Sequence, residues 1–159
     1  MEIVYHPIGY IRSPFTDTAG MPIQPAGASG VEGRIEVLPE YEEGLKDLSG
    51  FSHVIVLCHF HKARGFELSV VPFLDSAARG LFATRAPRRP NPIGFSVFGI
   101  SRIDGPTVYV KNVDMLDGTP ILDLKPYVPD FVEADEIRLG WLEAHRGEVV
   151  RKVSDDRFK

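Results

Sequence analysis

The 159-residue sequence predicts a single mainly β domain spanning residues 1–159, a barrel or a sandwich, rather than a doubly wound nucleotide-binding fold. Three observations lead there. Short runs rich in β-branched and aromatic residues recur along the chain, each bounded by glycine, proline or aspartate. Only one segment, late in the chain, repeats apolar residues at helical spacing. No glycine-rich strand-to-helix fingerprint is present. With 43% hydrophobic and 25% charged residues, the composition is that of an ordinary globular chain able to bury one sizeable core.

Residues 3–11 mix β-branched and aromatic side chains and stop at Arg12-Ser13-Pro14-Phe15, a strand followed by a break. Residues 16–29 are rich in Gly, Pro, Ala and Thr without periodicity, a long loop of the kind that tends to carry function. Residues 33–38 alternate and read as a strand. Pro39 and the acids after it begin a short helix, which Gly44 limits to a turn or two. Residues 53–61 form the strongest strand. With a period of two, Val54, Val56, Cys58 and Phe60 face one side, and His53, Ile55, Leu57, His59 and His61 the other. Residues 66–71 read as a shorter strand ended by Pro72, and residues 81–84 as another. Residues 94–103 and 106–115 flank Asp104-Gly105, a hairpin signal. The tight turn Asp117-Gly118-Thr119-Pro120 leads into a strand at 121–124, closed by Lys125-Pro126-Tyr127-Val128-Pro129. The one helix is expected where Ala134, Ile137, Trp141 and Ala144 share a face, ending near His145, Arg146 and Gly147.

Eighteen basic against 22 acidic residues give a net charge of −4, which excludes a protein that coats nucleic acid with its whole surface. Any nucleic-acid partner must meet a local basic patch, and residues 80–94 offer one. Pro87, Pro90 and Pro92 stiffen this loop, so it loses little entropy on binding, and Arg85, Arg88 and Arg89 supply forked donors suited to carboxylates and phosphates. The competing reading is a rigid turn whose arginines anchor the loop or sit in solvent. Cys58 is the only cysteine, so neither a disulfide within the chain nor a multi-cysteine zinc site is possible, as suits a reducing cytoplasm. No basic-then-apolar leader or membrane-length apolar run occurs, and a cytoplasmic protein without a membrane partner is expected.

His59 and His61 form a His-x-His pair, but no spacing supplies a third ligand, so a polar strand end without metal is expected. Asp114, Asp117 and Asp123 gather around the later turn. Turn chemistry accounts for Asp117 ahead of Gly118. Asp123 interrupts an apolar run and calls for a partner such as Lys125 or an arginine.

Several of these segments together resemble the signatures of a known family. They are Gly-Leu-Phe-Ala-Thr-Arg-Ala-Pro-Arg-Arg-Pro-Asn-Pro-Ile-Gly at 80–94 and Leu-Asp-Gly-Thr-Pro-Ile-Leu-Asp-Leu-Lys-Pro-Tyr-Val-Pro at 116–129. With them go Ile8-Gly9-Tyr10-Ile11-Arg12-Ser13-Pro14-Phe15, Pro22-Ile23-Gln24-Pro25, and Gly50-Phe51-Ser52-His53 running into His59-Phe60-His61. The chain is similar, over roughly residues 1–130, to the TsaA-like β-barrel tRNA methyltransferases of TrmO type, in the short form without an additional C-terminal domain.

The resemblance implies a compact β-barrel working as a homodimer, with S-adenosylmethionine bound outside any Rossmann architecture. It implies methyl transfer to N6 of N6-threonylcarbamoyladenosine, next to the anticodon in tRNA. Carried over by motif, the cofactor-binding positions are Pro22, Ile23, Gln24, His61, Lys62, Arg85, Phe95, Leu116, Asp117, Gly118 and Thr119. Ile23 stands where many members have a basic residue, and Lys62 replaces a common glutamine. Arg88, Arg89 and Arg64 would meet the tRNA anticodon loop, and no DNA partner is expected. Asp117, His61 or Tyr127 would take the proton from the acceptor nitrogen, with Asp117 the first choice. Three other readings compete: the same cofactor with another acceptor, a nonenzymatic nucleotide- or RNA-binding barrel, and a metal-dependent hydrolase built on His59 and His61.

Overall fold

The computed structural model describes residues 1–23, 25–129, 137–145 and 153–155. Its strands are β1 (Gly9–Arg12), β2 (Glu32–Val37), β3 (His53–His59), β4 (Ser69–Val70), β5 (Arg79–Gly80), β6 (Ile93–Asp104), β7 (Thr107–Lys111) and β8 (Pro120–Pro126). Six of them close into an antiparallel barrel in the order β1-β2-β7-β6-β3-β8, with β8 pairing back onto β1. β4 and β5 form a separate two-stranded ladder. Closure leaves the six barrel strands without an open edge.

The alternation read from the sequence is what fills the barrel. Val54, Val56 and Cys58 of β3 point inward and are wholly buried, while His53, Ile55, Leu57 and His59 face out. Ser96 and Phe98 of β6, Val108 and Val110 of β7, Ile35 of β2, Ile11 of β1 and Ile121 of β8 complete the interior. A small barrel has room for side chains only, and β-branched residues around one phenylalanine suit that space. Gly94 is required by the close approach of β3: a β-carbon there would lie 2.5 Å from Cys58 Sγ and 2.7 Å from the Phe60 ring.

Several expectations are corrected. The first strand begins only at Gly9, because β2 pairs with it over Gly9 to Arg12 alone, and Ile3, Val4 and Tyr5 are exposed. The strand expected at 66–71 shrinks to Ser69–Val70. Residues 81–84 are not a strand: Leu81–Ala83 is a 3-10 turn, closed by the Thr84 N–H donating to the Leu81 carbonyl at 3.0 Å. Only Leu81 of that turn is buried. Pro39–Leu45 is the short 3-10 helix anticipated. Of the expected late helix, Gly140–His145 is a 3-10 helix, Ile137 is exposed, and Ala134, Arg146 and Gly147 lie outside the described residues. Among the described residues no helix is long and apolar enough to cross a membrane.

Candidate active site

A cavity of about 930 Å³ opens beside the barrel where residues from 16–23, 60–63, 72–74, 82–87, 114–119, 141–142 and 154–155 meet. The first wall is the turn after β3. The ladder ends at His59, whose carbonyl accepts the His61 N–H at 2.8 Å, and the Phe60 carbonyl accepts the Ala63 N–H at 3.0 Å. This reversal turns Phe60, His61 and Lys62 into the cavity. His59 instead lines a second hollow of about 400 Å³ with Tyr5, Ile93 and Leu122. The shared histidine face expected from strand alternation therefore ends at His59. Among the described residues, no group of three or more His, Cys, Asp or Glu is placed to hold a metal ion.

The second wall is the corner at 114–119, fastened to the end of β1. Ser13 Oγ donates to the Met115 carbonyl at 2.6 Å, and Gly118 N–H donates to the Ile11 carbonyl at 2.8 Å. Gly118 takes φ +73°, a left-handed conformation that favours glycine. Asp114, Met115, Leu116 and Thr119 line the cavity, while the Asp117 carboxylate accepts the Ser13 N–H at 3.1 Å and lies 3.9 Å from Arg12. Asp123 pairs with Lys125 at 2.6 Å, the partner anticipated.

The proline-rich loop is the third wall. Arg89 Nη1 donates to the carbonyls of Thr84 at 3.1 Å and Ala86 at 3.3 Å, so this arginine holds the loop by its backbone rather than by a salt bridge. Exposed Arg85 lines the cavity, and its Nη2 donates to the Phe95 carbonyl at 2.8 Å. The remaining walls are residues of the 16–23 loop, residues 72–74, and two late stretches at 141–142 and 154–155. Trp141 Nε1 donates to the Ala83 carbonyl at 2.8 Å beneath the Arg79 guanidinium, 5.7 Å from the ring centre. Ser154 N–H donates to the Met21 carbonyl at 2.7 Å, and its hydroxyl also bonds the Thr18 carbonyl.

Three titratable groups are displaced here. Burial pushes the Asp114 carboxyl up to about 6, against the hydrogen bond from Ser96 Oγ (2.8 Å) and the Arg85 charge. Burial, reinforced by the Asp114 charge, pushes the Cys58 thiol up to about 12. His61 is held below its ordinary value by burial, then by Lys62, His59 and Arg64.

Of the positions singled out from sequence, Pro22, Ile23, His61, Lys62, Arg85, Leu116 and Thr119 meet at this cavity. Gln24 lies outside the described residues. Phe95 faces outward on β6, and neither Asp117 nor Gly118 lines the cavity. Tyr127 is edge-on to His53, 6.2 Å between ring centres, at the far end of β3 from His61. Arg64 is exposed, its Nη1 on the His61 and Ala63 carbonyls, and the buried Arg88 Nε has no hydrogen-bond partner among the described residues. Sequence reasoning passed over Asp114 as a site residue, although a carboxylate between Val113 and Met115 was a usable signal. Nothing in the sequence marked Ser154.

The family model for the tRNA-methyltransferase O N-terminal domain matches residues 10–133. The chain belongs to this TrmO family. The match takes in every wall of the cavity except Trp141, Leu142, Ser154 and Asp155. A probable S-adenosyl-L-methionine-binding protein of Pyrococcus abyssi is 47% identical over 158 residues, 99% of this chain and 86% of that protein. A tRNA (adenine(37)-N6)-methyltransferase of Mus musculus is 38% identical over 137 residues, 82% of this chain but 32% of that protein. The crystal structure of TrmO from Pseudomonas aeruginosa matches with a TM-score of 0.74 at 38% identity, covering 89% of this chain. This chain spans 63% of that crystallised chain, and the six-stranded barrel is the TrmO-like fold.

Proposed function

We propose that this protein is an S-adenosylmethionine-dependent tRNA methyltransferase acting on N6 of N6-threonylcarbamoyladenosine beside the anticodon. One observation carries the reading: Pro22, Ile23, His61, Lys62, Arg85, Leu116 and Thr119, distant in sequence, converge on a single cavity. The names of the Pyrococcus abyssi and Mus musculus relatives point to the same cofactor and the same class of acceptor. A volume of about 930 Å³ is near the upper end of the range for small-molecule sites, about 300–1,000 Å³, so it suits a nucleoside-bearing cofactor together with an acceptor base.

The lining fits such a cofactor chemically. Arg85 offers a fork for an amino-acid carboxylate, and Ile23, Phe60, Phe82 and Leu116 offer apolar walls for an adenosine. Once bound, the cofactor supplies a methyl group activated on a sulfonium. The protein must align the acceptor with that methyl, exclude water and take up one proton.

Exposed Arg64 and Lys62 are the basic groups assigned to the tRNA, a local patch on a chain of net charge −4, whereas Arg89 is engaged by the loop carbonyls and the Arg88 Nε is buried. The homodimer is assigned to the outer face of β3 and β6. There Leu57 pairs with Phe95, Ile55 with Val97 and His59 with Ile93, leaving an outward apolar stripe on a closed barrel.

The test is incubation with methyl-labelled S-adenosylmethionine and tRNA carrying the threonylcarbamoyl group, followed by mass spectrometry of anticodon-loop nucleosides. One added methyl on the modified adenosine is the expected result. Cofactor uptake without labelled tRNA would redirect the enzyme to another acceptor, and no calorimetric uptake would end the reading.

A further inference from the structure

Six titratable side chains matter for the fate of the proton, and their surroundings separate them. The Asp117 carboxylate is not among the groups that line the cavity and accepts the Ser13 N–H, and Tyr127 lies at the far end of β3. Asp17 and Asp155 line the cavity but are exposed, and Asp17 Oδ1 also accepts the Ala19 N–H at 3.1 Å. Asp114 is, among the described residues, the half-buried carboxylate of the lining. It sits between buried Val113 and Met115, and Ser96, buried on the inward face of β6, donates to its Oδ1 at 2.8 Å. His61 remains as the rival.

We infer that Asp114, oriented by Ser96, is the proton acceptor of the methyl transfer, an assignment that rests on the function proposed above. As the acceptor nitrogen bonds to the methyl carbon, its proton passes to a carboxylate oxygen of Asp114. The methyl–sulfur bond breaks with its electron pair left on sulfur, which loses its positive charge. Asp114, now neutral, returns the proton to water.

Charge favours Asp114 over His61. Protonating His61 creates a cation beside Lys62 and Arg64, which already oppose it. Protonating Asp114 removes an anion from a place where burial penalises it. The groups facing Asp114 are Arg85 from the proline-rich loop, Ser96 from β6 and the Cys58 thiol from β3, which stays protonated at neutral pH. His61, Lys62, Asp17 and Asp155 share the cavity. With its carboxyl pushed up to about 6, Asp114 is ionised at neutral pH yet more basic than an ordinary aspartate, the compromise a general base needs.

Asp114→Asn keeps the shape and can still accept the Ser96 hydrogen bond. It should bind S-adenosylmethionine within about threefold of wild type by calorimetry, yet transfer methyl in a single turnover about 100-fold or more slowly. In the wild type, the single-turnover rate of the S-adenosylmethionine complex at sub-saturating tRNA should rise with pH through the same inflection that carbon-13 NMR reports for the Asp114 carboxyl in that cofactor complex. Ser96→Ala removes a donor that favours the ionised form, so both inflections should move together to higher pH. A rate for Asp114→Asn within about threefold of wild type would overturn the assignment. So would an NMR inflection that moves in Ser96→Ala while the rate inflection stays. A wild type that methylates no tRNA would remove the underlying function, a result separate from either of these, and the assignment with it.

Discussion

Inside the barrel, Ile11, Ile35, Val54, Phe98, Val108 and Ile121 are wholly buried and sit one on each of six strands that pair all the way round. Around the cavity, the chain is held by single side chains that reach backbone groups: Ser13 to Met115, Arg89 to Thr84 and Ala86, Trp141 to Ala83, Ser154 to Thr18. Every interior contact is shared with neighbours on two ladders, so loss of one is felt by the whole barrel. The fastenings of the cavity wall form small local groups that can open without the barrel. A cavity that admits a cofactor and an acceptor needs that second kind of construction, mounted on the first.

The largest effect is expected from the interior. Phe98→Ala removes the largest fully buried side chain and should cost about 3–5 kcal/mol of unfolding free energy in denaturant titration. A cost below about 1 kcal/mol would mean that the interior relaxes as freely as the wall.

A smaller and local effect is expected at Arg89. Arg89→Ala strips the donor from the Thr84 and Ala86 carbonyls and should cost about 1–3 kcal/mol. The sharper readout is amide hydrogen exchange. Residues 81–90 should exchange faster while β3 and β6 keep their protection. Equal acceleration in β3 would show that the loop and the barrel open as one unit.

The same contrast explains which parts the sequence revealed. β2 and β3 announce themselves by alternation, because one face of each lies inside the barrel, while the β6–β7 hairpin and β8 are marked by the turns at Asp104-Gly105 and Asp117-Gly118. Residues 3–11 and 81–84 have strand-like composition, but composition does not say where a pairing partner ends; β2 reaches only Gly9, and Thr84 closes a turn instead. Apart from Arg85 and the 16–23 loop, most cavity residues were reachable only through motif resemblance, since fastenings such as Ser154 to Met21, 133 residues apart, leave no local pattern. Asp114 and Asp117 show the limit well. Turn chemistry singles out the aspartate before glycine, whereas the environment of Asp114 depends on Ser96, 18 residues away on β6.

The smallest effect joins the two regions, because Asp114 belongs to the cavity wall while its partner Ser96 belongs to the barrel interior. Its carboxyl titrates at about 6 in the folded protein against 3.8 for the ordinary group. The folded state therefore binds the proton more tightly than the unfolded chain, and this contribution to stability is fully present below about pH 4. It is lost as pH rises to about 6 and remains absent above that. Asparagine has no such proton to lose. Asp114→Asn should thus equal the wild type near pH 4 and exceed it at pH 8 by about 1–2 kcal/mol, allowing for the cavity's access to water. Paired thermal melts at the two pH values read this directly. If the variant were instead the less stable protein at pH 8, Arg85 and its neighbours would be holding the carboxylate more strongly than burial penalises it, and the wall would be an ion-pair structure rather than a strained one.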